Sequence, residues 1–174
     1  MQQILIIYAT TDGHTRKISE RLEDVIRQQG YDVQLLSIEE QLPELTQYDK
    51  IVIGASIRYG KHSKLIYNFV EKNQQLLDTK PNAFFSVNVV ARKPEKSQPE
   101  TNPYLQKFLK QISWQPKKLA VFGGELNYPN YRYFDRQMIR LIMWMTKGPT
   151  DPATVIDYTD WDLVEGFGRQ ICDM

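Results

Sequence analysis

The chain has 174 residues, 41% hydrophobic and 25% charged, with 22 basic against 21 acidic side chains. That is the length of one globular domain able to bury most of its apolar surface, and its balanced charge gives no pull toward nucleic acid. The single cysteine, Cys172, excludes an internal disulfide; with no histidine or second cysteine nearby it reads as a plain thiol, not a nucleophile or metal ligand.

The first element, residues 4–8, is a continuous apolar run. No charged leader or apolar signal core precedes it, and no later run approaches membrane-spanning length, so the expectation is a cytoplasmic protein. Thr10-Thr11-Asp12-Gly13-His14-Thr15 follows, and then a helical pattern with Ile18, Leu22, Val25 and Ile26 on one face. A strand that ends in hydroxyl residues and a glycine and then opens a helix has the parts of a phosphate cradle. The threonine hydroxyls donate, Gly13 turns the backbone inward, and the first free amides of the helix face the anion. The spacing is too short for a Walker loop and lacks its lysine, and the three glycines of a dinucleotide fingerprint are missing. A mononucleotide fits best. The competing reading is a loop that merely caps the helix, and the loop alone leaves both open. A protonated His14 would offset phosphate charge; its plain alternative is exposure in the first helical turn.

Residues 33–36 and 51–57 are the next strand-like runs, separated by a polar connection, 39–48, to which no structure is assigned. The second run leads into Ser56-Ile57-Arg58-Tyr59-Gly60, where small residues let a ring approach the backbone and Tyr59 offers a stacking face, the shape of a flavin shelf. His62 then reads as a solvated helix-start residue, with a proton-relay role near the ring as the minor alternative. Ile66, Phe69, Val70 and Leu77 mark a second helix, and residues 83–90 a fourth strand. The end of that strand, Ser86-Val87-Asn88-Val89-Val90-Ala91, supplies backbone groups and Asn88 for the polar edge of a planar heterocycle, with no aromatic over its second face. A helix carrying Leu105, Phe108, Leu109 and Ile112, a strand at 119–122 and a last helix with Leu163, Val164, Phe167 and Ile171 complete the alternation.

Strand–helix alternation with continuously apolar strands predicts an α/β fold, a doubly wound five-stranded parallel sheet with helices on both faces. Ligands of such sheets bind at the carboxyl ends of the strands, where the three singled-out segments lie. A phosphoacceptor receiver has the same strand order but needs carboxylates where this chain has Ala9-Thr10 and Ala55-Ser56. A Gly-x-Ser-x-Gly elbow is absent, and the two histidines are not spaced as a metal pair.

Residues 127–147 form a basic and aromatic insertion. Tyr128, Tyr131, Arg132, Tyr133 and Phe134 precede a helix in which Met138, Ile139, Leu141, Ile142, Met143, Trp144 and Met145 cover most of the circumference. Arg136, Arg140 and Lys147 leave a narrow cationic stripe. A helix apolar over so wide an arc needs a cover of protein, partner or membrane surface. A helix packed on the domain with Trp144 in the core is the plain alternative.

The phosphate loop and five-strand alternation resemble the flavodoxin-like family, whose members hold FMN at the switch point of the sheet. Three strings, residues 51–60, 85–96 and 128–136, with Tyr158-Thr159-Asp160-Trp161, resemble one branch of it more closely, the menaquinone-dependent protoporphyrinogen dehydrogenases of bacterial haem synthesis. The likeness spans nearly the whole chain, residues 1–174 forming a single flavodoxin-like domain with the helical insertion after or within the fifth strand. It implies an FMN enzyme at the cytoplasmic face of the inner membrane that oxidises protoporphyrinogen IX and reduces menaquinone or another respiratory quinone. Thr10 to Thr15 would hold the phosphate, Ser56 to Gly60 would flank the ring, and Ser86, Val87, Asn88, Val89 and Ala91 would meet its pyrimidine edge. The chemistry would be the flavin's, so no side chain is assigned as acid or base. With the resemblance, Arg132, Arg136, Arg140 and Trp144 are expected to contact substrate, quinone or membrane, and the helix also suits a homo-oligomer contact. The chain departs from common flavodoxins in having Asp12 where they place a threonine; Asp12 must point outward, cap the helix, or be balanced by His14, Arg16 or Lys17. Two alternatives share the scaffold: an electron-carrier flavodoxin, disfavoured by near-neutral charge because such carriers are usually acidic, and an NAD(P)H-dependent quinone reductase.

Overall fold

Side-chain alternation along the first strand shows how the layers are built. In a computed structural model describing residues 1–174, β1 (Gln3–Ala9) sends Leu5 and Ile7 into one core and Ile4 and Ile6 into the other, all fully buried. A strand buried on both faces has no polar side, hence its continuous apolar sequence. β1 lies between β2 (Asp32–Ser37) and β3 (Lys50–Arg58), all parallel. After the two-residue β4 (Lys61–His62), which folds back antiparallel on the end of β3, come β5 (Asn82–Asn88) and β6 (Lys118–Gly123). The parallel order is β2-β1-β3-β5-β6, with strand order reversing at β1 and β3.

The helices α1 (His14–Gln28) and α5 (Trp161–Cys172) cover one face, packing Ile18, Leu22, Phe167 and Ile171 on the Ile4–Ile6 side. Across the sheet, α2 (Lys64–Thr79) and α3 (Pro103–Gln111) bury Ile66, Val70, Leu105 and Phe108. Both α3 and α5 start at side-chain caps, Asn102 accepting from the Leu105 amide and Asp160 from those of Asp162 and Leu163. The elements differ from expectation in detail. Residues 39–48 contain only a 3-10 turn, Leu45–Gln47. Ile112 lies just past α3, and Leu163 is 53% exposed. The fourth parallel strand stops at Asn88, because the Asn88 carboxamide oxygen accepts from the Ala91 amide (3.1 Å) and turns Val89–Arg92 into a 3-10 segment.

The insertion follows the fifth parallel strand. β7 (Glu125–Asn127) pairs antiparallel with β8 (Val155–Asp157), and between them runs α4 (Tyr133–Met145). It has a small core of its own, Leu126, Tyr128, Tyr131 and Met143, against Val89, Ile139 and Tyr158. Gly123 makes the junction possible: a Cβ there would stand 2.3 Å from the Tyr158 carbonyl oxygen.

Candidate active site

An open cleft of about 1080 Å³, its mouth included, lies at the carboxyl ends of β1, β3 and β5 and is walled on its far side by the insertion. It is at the switch point, where this class of sheet holds ligands.

The phosphate loop opens α1 without a side-chain cap. Gly13 is the cap residue at φ 90°, a left-handed backbone, and the Thr10 hydroxyl accepts from its amide at 2.9 Å. The capping reading of the loop therefore fails, and the unpaired first-turn amides of α1 remain. Thr15 is fully buried in the cleft wall, and its hydroxyl oxygen has no hydrogen-bond partner. An orphaned buried hydroxyl beside free helix amides is the signature of an anion cradle.

Two expectations about this loop are corrected. His14 is 7% exposed, not solvated. The Thr159 hydroxyl donates to the Gly123 carbonyl (2.7 Å), so its oxygen accepts from His14 Nε2–H (2.6 Å); Asp157 lies 3.3 Å from the same nitrogen. Desolvation lowers the His14 pKa, against Asp157 and Glu125, so burial works against the charged imidazole that would offset a phosphate. His14 instead ties the loop to the insertion. Asp12 is exposed, as the outward-pointing option had it; the charge that balances it is Arg58, at the end of β3, rather than His14, Arg16 or Lys17, and Asp12 does not cap α1.

The segment at the end of β3 places Ser56, Ile57, Arg58, Tyr59 and Gly60 in the cleft wall. Tyr59 adopts φ 50°, uncommon for a residue with a Cβ, and its hydroxyl donates to Asp135 of α4. From the end of β5, Val87, Asn88 and Val89 line the cleft, but Ser86 and Ala91 do not. The Asn88 side chain is engaged by Ser86, Ala91 and Asn102, which leaves the backbone as its contribution to a ligand's edge. His62, expected in solvent, is 5% exposed against Phe84 and Phe108, and burial lowers its pKa to about 3.

The insertion supplies cleft residues that sequence reasoning missed: Glu125, Tyr131, Ile139, Ile142, Met143 and Thr146. Their signal was available, since 139, 142 and 143 share one helical stripe. Of the expected insertion contacts, none lines the cleft. Arg136 donates to the Tyr128 carbonyl (3.1 Å) and Arg140 to the Thr150 carbonyl (2.7 Å), bracing the insertion; Arg132 is exposed. Trp144 is 71% exposed, so a helix packed with Trp144 in the core is not what forms.

This geometry defines a class: a family model of the flavodoxin domain matches residues 5–153. The fold superposes on oxidised flavodoxin 1 from Bacillus cereus with a TM-score of 0.57, 17% identity and 99% and 98% of the two chains covered. More closely, the chain is 44% identical to the protoporphyrinogen IX dehydrogenase (quinone) of Escherichia coli (strain K12), over 98% of this chain and 94% of the relative. The Leishmania major protein of the same name is 42% identical, over 94% of this chain and 71% of its own. The chain belongs to the protoporphyrinogen IX dehydrogenase (quinone) family and is an oxidoreductase with a flavodoxin fold.

Proposed function

We propose that this chain uses FMN to oxidise protoporphyrinogen IX to protoporphyrin IX, passing the electrons to a respiratory quinone, menaquinone, in haem synthesis at the cytoplasmic face of the inner membrane. The observation that carries the reading is one cleft with two unlike ends, an anion cradle at α1 and an apolar wall on α4. The residues present fit the cofactor. Thr10, Thr11 and Thr15 and the first amides of α1 would hold the phosphate, residues 56–60 would flank the ring, and the backbone of Val87, Asn88 and Val89 would meet its polar edge. When bound, the flavin supplies reversible two-electron chemistry that no side chain of the cleft offers.

The protein's own contribution is shape and electrostatics. Ile139, Ile142 and Met143, with Val89 and Val90, line the cleft with apolar surface suited to a large, poorly hydrated substrate. Tyr59 and Asp135 join the ring-flanking segment to α4, so the two walls are tied together. No side chain is assigned as acid or base: His62 lies outside the cleft wall with a pKa of about 3, and His14 is held by Thr159 and Asp157. No helix is long and apolar enough to cross a membrane; attachment would be peripheral, through the face of α4 that exposes Phe134, Leu141 and Trp144.

The test is anaerobic, because porphyrinogens oxidise in air. FMN-loaded protein is mixed with protoporphyrinogen IX and a menaquinone analogue, and porphyrin fluorescence is followed against a flavin-free control. Each round should take two hydrogens from the porphyrinogen and convert one quinone to its quinol. Porphyrin formation that requires both flavin and quinone is expected. No formation with the flavin bound and reducible would overturn the substrate assignment and favour an electron carrier.

A further inference from the structure

The phosphate loop carries an acidic side chain beside its anion cradle, and its compensating charge comes from another part of the chain. Asp12 lines the cleft between the loop hydroxyls and Gly13, and its carboxylate accepts from the Arg58 guanidinium. The basic residues of α1 are engaged elsewhere: Arg16 with Glu20 at 2.8 Å, Lys17 toward Glu125 at 3.9 Å. The cleft's other arginine, Arg92, donates to the Val89 carbonyl and to Thr146.

The neighbourhood is acidic. Partial desolvation raises the pKa of Asp12; Arg58 opposes this, and the carboxylates of Asp135 and Glu125 add to it. A phosphate monoester brings nearly two further negative charges at neutral pH. Yet the cradle is built to take one, with the Thr15 hydroxyl buried and unpartnered and the α1 amides unpaired. Without a fixed cation, Coulomb repulsion from Asp12 would set the loop against the ligand it otherwise fits.

We propose that Arg58 makes this loop selective for a phosphorylated flavin: it neutralises Asp12 and leaves the hydroxyl and amide donors free to hold the dianion. The proposal rests on reading the cleft as the FMN site. Arg58 is held in place by two rings and a carboxylate. Its guanidinium carbon sits 5.9 Å from the centre of the Tyr59 ring and 5.5 Å from that of Tyr131, with Asp12 fixing the outer end. Placing that cation therefore requires little reordering when the phosphate enters. The two residues act as a matched pair; the acid alone harms binding and the cation alone does not.

Flavin-stripped full-length protein is titrated with FMN and with riboflavin, which has the same ring and no phosphate, and flavin fluorescence quenching reports each affinity. Arg58→Gln should weaken FMN about tenfold or more, and by a clearly larger factor than it weakens riboflavin. Adding Asp12→Asn to that variant should restore most of the lost FMN affinity. Asp12→Asn alone, which keeps the cation, should retain or sharpen the preference for FMN over riboflavin. That single variant decides the matter if Arg58→Gln does not fold: a lost preference overturns the proposal. So does an Arg58→Gln variant that binds FMN normally, weakens both flavins by the same factor, or is not rescued by Asp12→Asn. Wild-type protein that binds neither flavin rejects the cofactor assignment itself, and the proposal with it.

Discussion

The imidazole of His62 packs between Phe84 and Phe108, with ring centroids 5.6 and 4.9 Å away, and its Nε2 meets the Ser86 hydroxyl. Burial strips the water that would solvate a positive ring and lowers the pKa from 6.5 to about 3. Between those values the unfolded chain binds more protons than the folded one. The stabilisation is therefore complete above pH 6.5 and is lost as pH falls toward 3, a change on the order of 5 kcal/mol at the acid end. Denaturant titrations at pH 7, 5 and 4 should show the midpoint falling, and falling less steeply in His62→Phe; equal slopes would assign the acid sensitivity to other groups. Nothing near His62 in the sequence announced this burial, because it depends on a two-residue strand folding back on β3. The Asp12–Arg58 pair was hidden for a related reason: its members are 46 residues apart and meet only because β1 and β3 are neighbours. Thr15, by contrast, was readable, since strand, loop and helix are contiguous and local geometry suffices to aim its hydroxyl.

At the level of elements, the sequence was informative where burial imposes a period. The five parallel strands read as continuous apolar runs, and α1, α2 and α5 as amphipathic helices, because each spans several repeats of its pattern. β7 and β8 have three residues each and carry no period to read. Val89 and Val90 looked like strand because they are β-branched, yet the Asn88 cap outweighs their preference. In α4 the wide apolar arc was visible but its division was not. Ile139, Ile142 and Met143 face the cleft, while Arg136 and Arg140 brace the insertion through backbone carbonyls. The junction of insertion and sheet gives an element-scale prediction. Gly123→Ala sets a methyl group 2.3 Å from the Tyr158 carbonyl oxygen, and backbone, not a flexible side chain, must yield. The cost should be about 1–3 kcal/mol in thermal or denaturant unfolding. The hydroxyl of Thr159, which donates to the Gly123 carbonyl, should be displaced with it, loosening the contact to His14. A variant as stable as wild type would show that the hairpin can shift without strain.

Across the whole molecule, charge is nearly balanced but exposed apolar surface is not evenly spread. Of the eleven large hydrophobic residues that remain exposed, six belong to α4: Tyr133, Phe134, Met138, Leu141, Trp144 and Met145. The exposed side chains and the cleft-lining stripe are two faces of the same helix, so a helix seated in the bilayer interface would bring the cleft wall to the surface where an apolar quinone dissolves. Tryptophan and tyrosine suit that depth, and exposed Arg132 and Lys147 at the two ends of α4 suit anionic headgroups. Replacing Phe134, Leu141 and Trp144 together by serine removes exposed side chains and leaves the buried contacts of Met143 in place. Folding stability should change little, by about 0.5 kcal/mol per site or less, and FMN affinity should be unchanged. Flotation with phosphatidylglycerol-containing vesicles should be lost, and turnover with a vesicle-embedded quinone should fall further than turnover with a water-soluble analogue. If the triple variant floats like wild type, α4 is not the attachment surface; if wild type does not float, the quinone must reach the cleft through solution.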